Sequence, residues 1–138
     1  MSMLYYKFLF RYVGMLAFKR HTVGRLMEQM AAKQGGDTFV LFENERLTFD
    51  QFNRAANRRA NLLMAMGVQK GEVVAVMMEN RPEILATVIG LAKVGAVTSA
   101  INTNLTGQAL AHSLNICGAT RLIVGAECLE RLVDVLPN

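Results

Sequence analysis

The chain has 138 residues, of which 52% are hydrophobic and 19% are charged. This is the size and composition of one folded domain or one lobe of a larger protein, and it excludes a disordered chain. Two prolines and no tryptophan exclude proline-rich repeats. Two cysteines, Cys117 and Cys128, are too few for a disulfide framework and lack zinc-site spacing, so we interpret them as small buried hydrophobic residues in a reducing compartment.

The net charge of +4 belongs to the N-terminal quarter of the chain. Residues 1–34 carry six basic side chains and one acidic side chain, whereas residues 35–138 carry nine basic and ten acidic ones. A nucleic-acid-binding protein needs a basic face with stacking aromatic residues, which the body of the chain lacks. We therefore exclude nucleic acid as a partner.

Residues 1–21 are predicted to form an amphipathic N-terminal arm. Residues 3–18 are mostly large and apolar, but Lys7 and Arg11 interrupt them four residues apart, on one narrow helix face. The stretch is too short and too charged to span a bilayer, and it lacks the cleavage site of a secretory signal. We expect a helix lying in the membrane interface, and the arm's candidate membrane-contact residues are Lys7, Arg11, Lys19 and Arg20. The alternative is a terminal helix docked on another part of the protein.

Residues 22–138 are predicted to form a compact α/β unit that begins with a helix and a hairpin. Thr22 can cap a helix that extends to about Ala32 and ends at the Gly35-Gly36 pair. Its expected apolar side consists of Val23, Leu26, Met27 and Met30. A hairpin follows, with strands over 38–43 and 46–48 and a turn at Asn44-Glu45.

The clearest helix in the sequence extends from Phe49 to Met66. Thr48 and Gln51 form a capping box at its start, and Gly67 is placed to end it. Its apolar residues recur with helical spacing, and its asparagines and arginines fall on the opposite, solvated side.

The rest of the chain alternates strands with helices. The predicted strands are Val73–Met78, Ala96–Ile101 and Leu122–Val124, and the predicted helices lie between them over 82–94 and 107–117, with a last helix over Ala126–Leu136. The first of these strands is apolar throughout, as expected for a strand buried on both faces of a parallel sheet. The predicted fold class is α/β, a mainly parallel sheet with flanking helices and an antiparallel hairpin at its start.

No recognisable catalytic set is present in the sequence. It has no glycine-rich phosphate loop and no nucleophile elbow, and His112 is expected on the solvent side of its helix. Glu79, Arg81 and Glu83 follow a buried strand, where ligands of α/β proteins commonly bind, although helix-start electrostatics and a local ion pair explain them equally well.

Several motifs between residues 22 and 136 resemble the N-terminal lobe of the adenylate-forming acyl-CoA synthetases. The residues that carry this resemblance are the turn and strand at Gly67–Ala75, Asn80-Arg-Pro-Glu83 and Lys93-Val-Gly-Ala-Val97. Ile101-Asn-Thr-Asn-Leu105 and the segment Ala109–Leu114 resemble the fatty acid transport protein branch, which contains long- and very-long-chain acyl-CoA synthetases.

The resemblance implies activation of a long-chain fatty acid with ATP, Mg²⁺ and coenzyme A. It also implies that the family's phosphate loop, metal-binding Glu and catalytic Lys lie downstream, so that this chain carries no catalytic, cofactor-binding or metal-binding residue and is inactive alone. The implied partner is the remaining C-terminal portion of the synthetase, whereas the composition of the N-terminal arm predicts peripheral attachment to the cytoplasmic face of a membrane. Two other hypotheses remain open: a stand-alone membrane-associated module that binds lipid or nucleotide, and a structural lobe that completes another chain.

Overall fold

The computed structural model describes residues 22–133 and residue 135. Its helices are α1 (Val23–Gln34), α2 (Phe49–Ala65), α3 (Pro82–Val94) and α4 (Gly107–Ile116), and a 3₁₀ helix covers Ala126–Leu132. Its strands are β1 (Thr38–Phe42), β2 (Glu45–Thr48), β3 (Val73–Met77), β4 (Val97–Ala100) and β5 (Arg121–Val124). The α/β fold class is confirmed.

The strands form two separate sheets within the described residues. β3, β4 and β5 make a parallel sheet in the order β4-β3-β5, and β1 pairs only with β2, antiparallel. The sequence had suggested that the hairpin lies at the start of the parallel sheet. This expectation is wrong, because the hairpin forms a sheet of its own. Its turn is Glu43-Asn44 rather than Asn44-Glu45, because Glu45 already pairs with Phe42.

Alternate residues of β3 enter two different cores, which confirms that this strand is buried on both faces. Val74 and Val76 pack with residues of α2 and α3, including Leu63 and Leu91. On the opposite face is a second cluster made of Ala75, Met77, Ile101, Leu110, Cys128 and Leu132. The sheet is thus a central layer between α2 and α3 on one side and α4 with the 3₁₀ helix on the other.

Local sequence signals fix both ends of α2. Thr48 Oγ accepts the Gln51 backbone N–H at 3.2 Å, and the Gln51 side chain accepts the Thr48 N–H at 2.9 Å, which completes the expected capping box. At the other end Gly67 has φ +82°, and the Val68 N–H donates to the Leu63 carbonyl at 3.0 Å in a Schellman motif.

The apolar side predicted for α1 is confirmed at Met27 and wrong at Val23 and Leu26. Its buried residues are Gly24 and Met27, whereas Val23 and Leu26 are 57% and 54% exposed. The cause is Gly24, because a Cβ there would lie 2.7 Å from Lys93 Cγ and 3.1 Å from Lys93 Cα. The missing side chain lets α1 approach α3 closely and turns the larger residues beside it outward.

The last helix is shorter and tighter than expected. The segment forms a 3₁₀ helix that ends at Leu132, not an α-helix to Leu136. Contacts of its side chains with the loops after β3 and β4 hold it, so tertiary packing determines its geometry more than helix propensity does.

Candidate functional site at the carboxyl ends of the parallel strands

Charged residues converge where β3 and β5 end. The Arg81 guanidinium, in the turn after β3, forms an ion pair with the carboxylate of Glu127, which follows β5. The Glu79 backbone N–H donates to the same carboxylate at 3.0 Å. The loops after these two neighbouring strands are therefore joined by both a charge pair and a main-chain hydrogen bond.

Arg131 connects the loop after β4 to Glu79, in the loop after β3. It donates to the backbone carbonyl of Thr103, in the loop after β4, and its Nη2 lies 3.9 Å from Oε1 of Glu79. We call Glu79, Arg81, Thr103, Glu127 and Arg131 the carboxyl-edge network. It ties together the loops that follow all three strands of the parallel sheet.

The Glu127 carboxylate of this network is stabilised as an anion. The Glu79 N–H, the N–H of Glu127 itself and the Arg81 guanidinium lower the pKa of the Glu127 carboxyl. A carboxylate held in this way is a poor general base, since proton transfer near neutral pH needs a pKa shifted upward. The network is therefore suited to positioning loops rather than to moving protons.

The two cysteines agree in part with the interpretation made from the sequence. Cys128 is fully buried, and burial raises the pKa of its thiol, followed in effect by the nearby Glu127. Cys117 is only half-buried, and its Sγ donates to the Leu114 carbonyl at 3.1 Å. Both thiols are free.

Sequence analysis had singled out Glu79, Arg81 and Glu83 but missed Glu127 and Arg131. Arg81 lies 3.9 Å from Glu83, so the local pair that the sequence suggested is the looser of its two contacts. The signal that could have found Glu127 is its position three residues after a predicted parallel strand, because the carboxyl ends of such strands share one edge of the sheet.

Two open clefts lie away from this network, beside α2. One, of about 690 Å³, adjoins the start of α2 and the end of α1; the other, of about 480 Å³, lies between β2, α2 and the start of α3. Leu47, Ala55 and Arg58 line both clefts. The larger cleft is lined by polar as well as apolar residues, including the Asp50–Arg54 ion pair, and the smaller one by apolar and charged side chains.

The described residues do not fit a complete nucleotide or metal site. Arginines and backbone N–H groups already hold the carboxylates at the sheet edge, and residues 22–133 place no group of three or more metal-ligating side chains together. His112 is exposed, as expected. We therefore assign no step of ATP chemistry to these residues.

The structure tests only those membrane-related predictions that concern residues 22–133. In the described part of the chain, no helix is both long enough and apolar enough to cross a membrane. Residues 84–101, which are largely apolar, are divided between α3 and β4, in agreement with the helix over 82–94 and the strand Ala96–Ile101 that the sequence predicted. The candidate membrane-contact residues Lys7, Arg11, Lys19 and Arg20 lie outside the described residues.

The fold of the described residues is similar to part of a solved enzyme structure. The anthranilate CoA ligase AuaEII, solved in complex with anthranoyl-AMP, superposes with a TM-score of 0.75 and 28% identity, over 81% of this chain and 22% of that one. The α/β architecture is that of the N-terminal subdomain of adenylate-forming enzymes.

A family model described as AMP-binding enzyme matches residues 27–138. Long-chain fatty acid transport protein 6 of Mus musculus is 34% identical over 77% of this chain. The medium/long-chain-fatty-acid–CoA ligase FadD6 of Mycobacterium tuberculosis is 32% identical over 82% of it. The chain belongs to the AMP-binding enzyme family and corresponds to its N-terminal portion. It spans 17% and 19% of the lengths of these two relatives.

Proposed function

We propose that this chain is the N-terminal lobe of a long- or very-long-chain fatty acid–CoA ligase. The observation that carries the proposal is the identity of 32–34% to a fatty acid transport protein and a fatty acid–CoA ligase over most of the chain. In the proposed reaction the fatty acid carboxylate attacks the α-phosphate of ATP and pyrophosphate leaves. The thiolate of coenzyme A then attacks the acyl carbon, and AMP leaves.

The contribution of this lobe to that reaction is a fixed sheet edge. The carboxyl-edge network holds the loops after β3, β4 and β5 in one arrangement. Positioning of reactants accounts for a large part of an enzyme's rate, and it depends on supports that do not move. The groups that bind ATP, Mg²⁺ and coenzyme A are proposed to lie in the rest of the synthetase, which is the lobe's principal partner.

The chain alone is proposed to be inactive. Missing electrostatic and metal contributions reduce a rate by many orders of magnitude. The test is exchange of labelled pyrophosphate into ATP by the purified chain, with and without a long-chain fatty acid. We expect no exchange and no binding of nucleotide or fatty acid. Fatty-acid-dependent exchange would contradict the proposal, and tight binding without exchange would favour the stand-alone module.

Residues 1–21 are proposed to attach the protein peripherally to the cytoplasmic face of a membrane. The support is sequence composition: this segment combines Lys7, Arg11, Lys19 and Arg20 with six aromatic side chains in residues 5–18. Basic residues near an anionic surface contribute about 1 kcal/mol each. Deleting residues 1–21 should release the chain from phosphatidylserine vesicles, and raised salt should weaken binding only partly. Unchanged binding after the deletion would identify the arm as a packing element.

A further inference from the structure

The Glu127 carboxylate lies in a cradle formed by the loops after β3 and β5. Its Oε1 accepts the Glu79 backbone N–H at 3.0 Å, and its Oε2 accepts from Nη2 of the Arg81 guanidinium. These two donors lie 48 and 46 positions before Glu127 in the chain. A main-chain N–H and an arginine that converge on one carboxylate are the groups with which proteins bind a carboxylate ligand.

Gly125 provides the space for this carboxylate. The residue is buried, and its N–H donates to the Met77 carbonyl at 2.8 Å, so its backbone is held by β3. Its φ of −70° is one that any residue adopts. A Cβ on it would lie 2.6 Å from Oε2 of Glu127 and closer still to Oε1, and its three nearest atoms would all belong to that carboxylate. The cradle, and not the backbone conformation, therefore requires a glycine here.

Glu127 leaves one donor of the cradle unused. Arg81 Nε is buried and has no hydrogen-bond partner among the described residues, and Oε2 of Glu83, at 3.9 Å, is too distant to accept from it. A guanidinium binds a carboxylate best through two parallel N–H groups, whereas Glu127 accepts only from Nη2. A free carboxylate, which no side chain tethers, can accept from both nitrogens.

We infer that the edge between β3 and β5 is a carboxylate-binding site that the chain keeps filled with its own Glu127. The strand order β4-β3-β5 reverses between β3 and β5, and ligands of such sheets bind at the carboxyl ends of the two strands where the order reverses. A tethered side chain outcompetes free anions through its high effective concentration, so the site is closed in the unaltered chain.

The charges around the cradle define the class of ligand. Arg81 and Arg131 are balanced by Glu79 and Glu83, so removal of Glu127 takes away one negative charge that a monoanion restores. The ligand is therefore a small monoanionic carboxylate rather than a dianion. The inference goes beyond the proposed ligase function and does not depend on it.

Removal of the tethered carboxylate should open the site to a free one. The probe is formate, added to Glu127→Ala while the amide resonance of Glu79 is followed by NMR. We expect this resonance to move toward its position in the unaltered chain, with half of the shift at about 1–100 mM, because a ligand of three heavy atoms binds no tighter than about 1 mM. Formate should also raise the urea midpoint of Glu127→Ala above its value in sodium chloride of equal ionic strength.

Four variants serve as controls. Glu127→Gln retains a side chain of the same size in the cradle and should not respond to formate. Two further changes, each added to Glu127→Ala, should also abolish the response: Gly125→Ala, whose methyl group fills the cradle, and Arg81→Met, which removes the guanidinium. Glu130→Ala removes an exposed carboxylate outside the cradle, so its Glu79 amide should remain insensitive to formate, as in the unaltered chain.

Several results would overturn the inference. It fails if the Glu79 amide of folded Glu127→Ala does not respond to formate, or if Glu127→Gln responds equally. An equal response to sulfate, a dianion, would show a general attraction of anions and reject the carboxylate class. If Glu127→Ala is unfolded in chloride, formate should restore its structure, and a chain that stays unfolded in saturating formate would reject the site. The pyrophosphate exchange that tests the ligase proposal is independent of all these results.

Discussion

Thr48 and Thr106 occupy the same position, one residue before a helix, yet only Thr48 caps its helix. The Thr48 hydroxyl accepts the Gln51 N–H, whereas the Thr106 side chain forms no cap hydrogen bond. Threonine is a favourable N-cap residue, so both sites carry the residue type that promotes a cap. The Gln51 side chain, which completes a reciprocal pair, distinguishes the two sites.

The difference between these threonines predicts unequal effects of substitution. Thr48→Ala should lower the free energy of unfolding by about 1 kcal/mol, because it leaves the Gln51 N–H without its acceptor. Thr106→Ala is the matched control and should change it by less than about 0.5 kcal/mol. Urea unfolding of the two variants gives both values. Equal losses would contradict the capping account.

The hydrogen bonds that the Glu72 carboxylate accepts lead us to predict that the stability of the chain depends on pH. The backbone N–H of Gln69, which donates at 2.9 Å, has the largest effect in lowering the pKa of this carboxyl, followed by Thr120 and Arg121. A lowered pKa means that the folded chain binds fewer protons than the unfolded chain in acid. The stabilisation is therefore present above the ordinary glutamate pKa of about 4.3 and is lost as the pH falls through the lower folded value.

Glu72→Gln should consequently reduce the difference in unfolding free energy between neutral and acidic solution. Glu130→Gln is a suitable control, because Glu130 is exposed and forms no side-chain hydrogen bond or ion pair with a described residue. Denaturant unfolding at several pH values measures the slope for each variant. An unchanged slope in Glu72→Gln, compared with the wild type, would show that these hydrogen bonds do not carry the shift.

At the scale of elements, α2 was predictable and the packing of α1 was not. The capping box and the Schellman motif of α2 are local signals, so its observed end at Ala65 lies one residue from the predicted one. The orientation of α1 depends on the close approach of Lys93 to Gly24, which are 69 positions apart in the chain. The 3₁₀ geometry of Ala126–Leu132 likewise depends on contacts between residues 28 to 48 positions apart.

The crossing of α2 and α3 requires a glycine at position 90. A Cβ there would lie 2.8 Å from Arg59 Cβ, 3.1 Å from the Ala60 nitrogen and 3.2 Å from the Ala56 oxygen. Alanine normally stabilises a helix by about 1 kcal/mol over glycine, but the backbone of α2 is too close to accept it here.

Gly90→Ala should therefore destabilise the chain by about 1–3 kcal/mol despite its better helix propensity. Gly36→Ala is the matched control, because nothing lies within 4 Å of the position that its Cβ would occupy. Thermal or urea unfolding compares the two. A Gly90→Ala variant that is more stable than the wild type would contradict the tight helix crossing.

At the scale of the whole molecule, the two sheets leave unpaired edges. In the described residues β4 and β5 each bond only to β3, and the hairpin bonds to no other strand. Open strand edges and two-stranded hairpins are weak on their own and commonly pair with further chain. The sequence predicted the order of the strands and helices, but not the separation of the hairpin, because short-range patterns do not specify which strands pair.

In the candidate site, too, the residues marked by local sequence patterns could be predicted, and those brought in by strand pairing could not. Glu79, Arg81 and Glu83 could be found from their position after a buried strand. Their partners Glu127 and Arg131 required the strand order, which brings the ends of β3 and β5 together. The resemblance to acyl-CoA synthetases rested on motifs spread along the chain, and the family match over residues 27–138 confirms it.

The most direct test of the central claim, that this chain is the N-terminal lobe of a fatty acid–CoA ligase, is a graft. Residues 22–133 would replace the corresponding segment of the medium/long-chain-fatty-acid–CoA ligase FadD6, to which the chain is 32% identical. The measurement is fatty-acid-dependent exchange of labelled pyrophosphate into ATP, with the unaltered ligase as the positive control. We predict that the chimera catalyses exchange and that the isolated chain does not. A chimera that folds as cooperatively as its parent but shows no exchange with any long-chain fatty acid would contradict the claim.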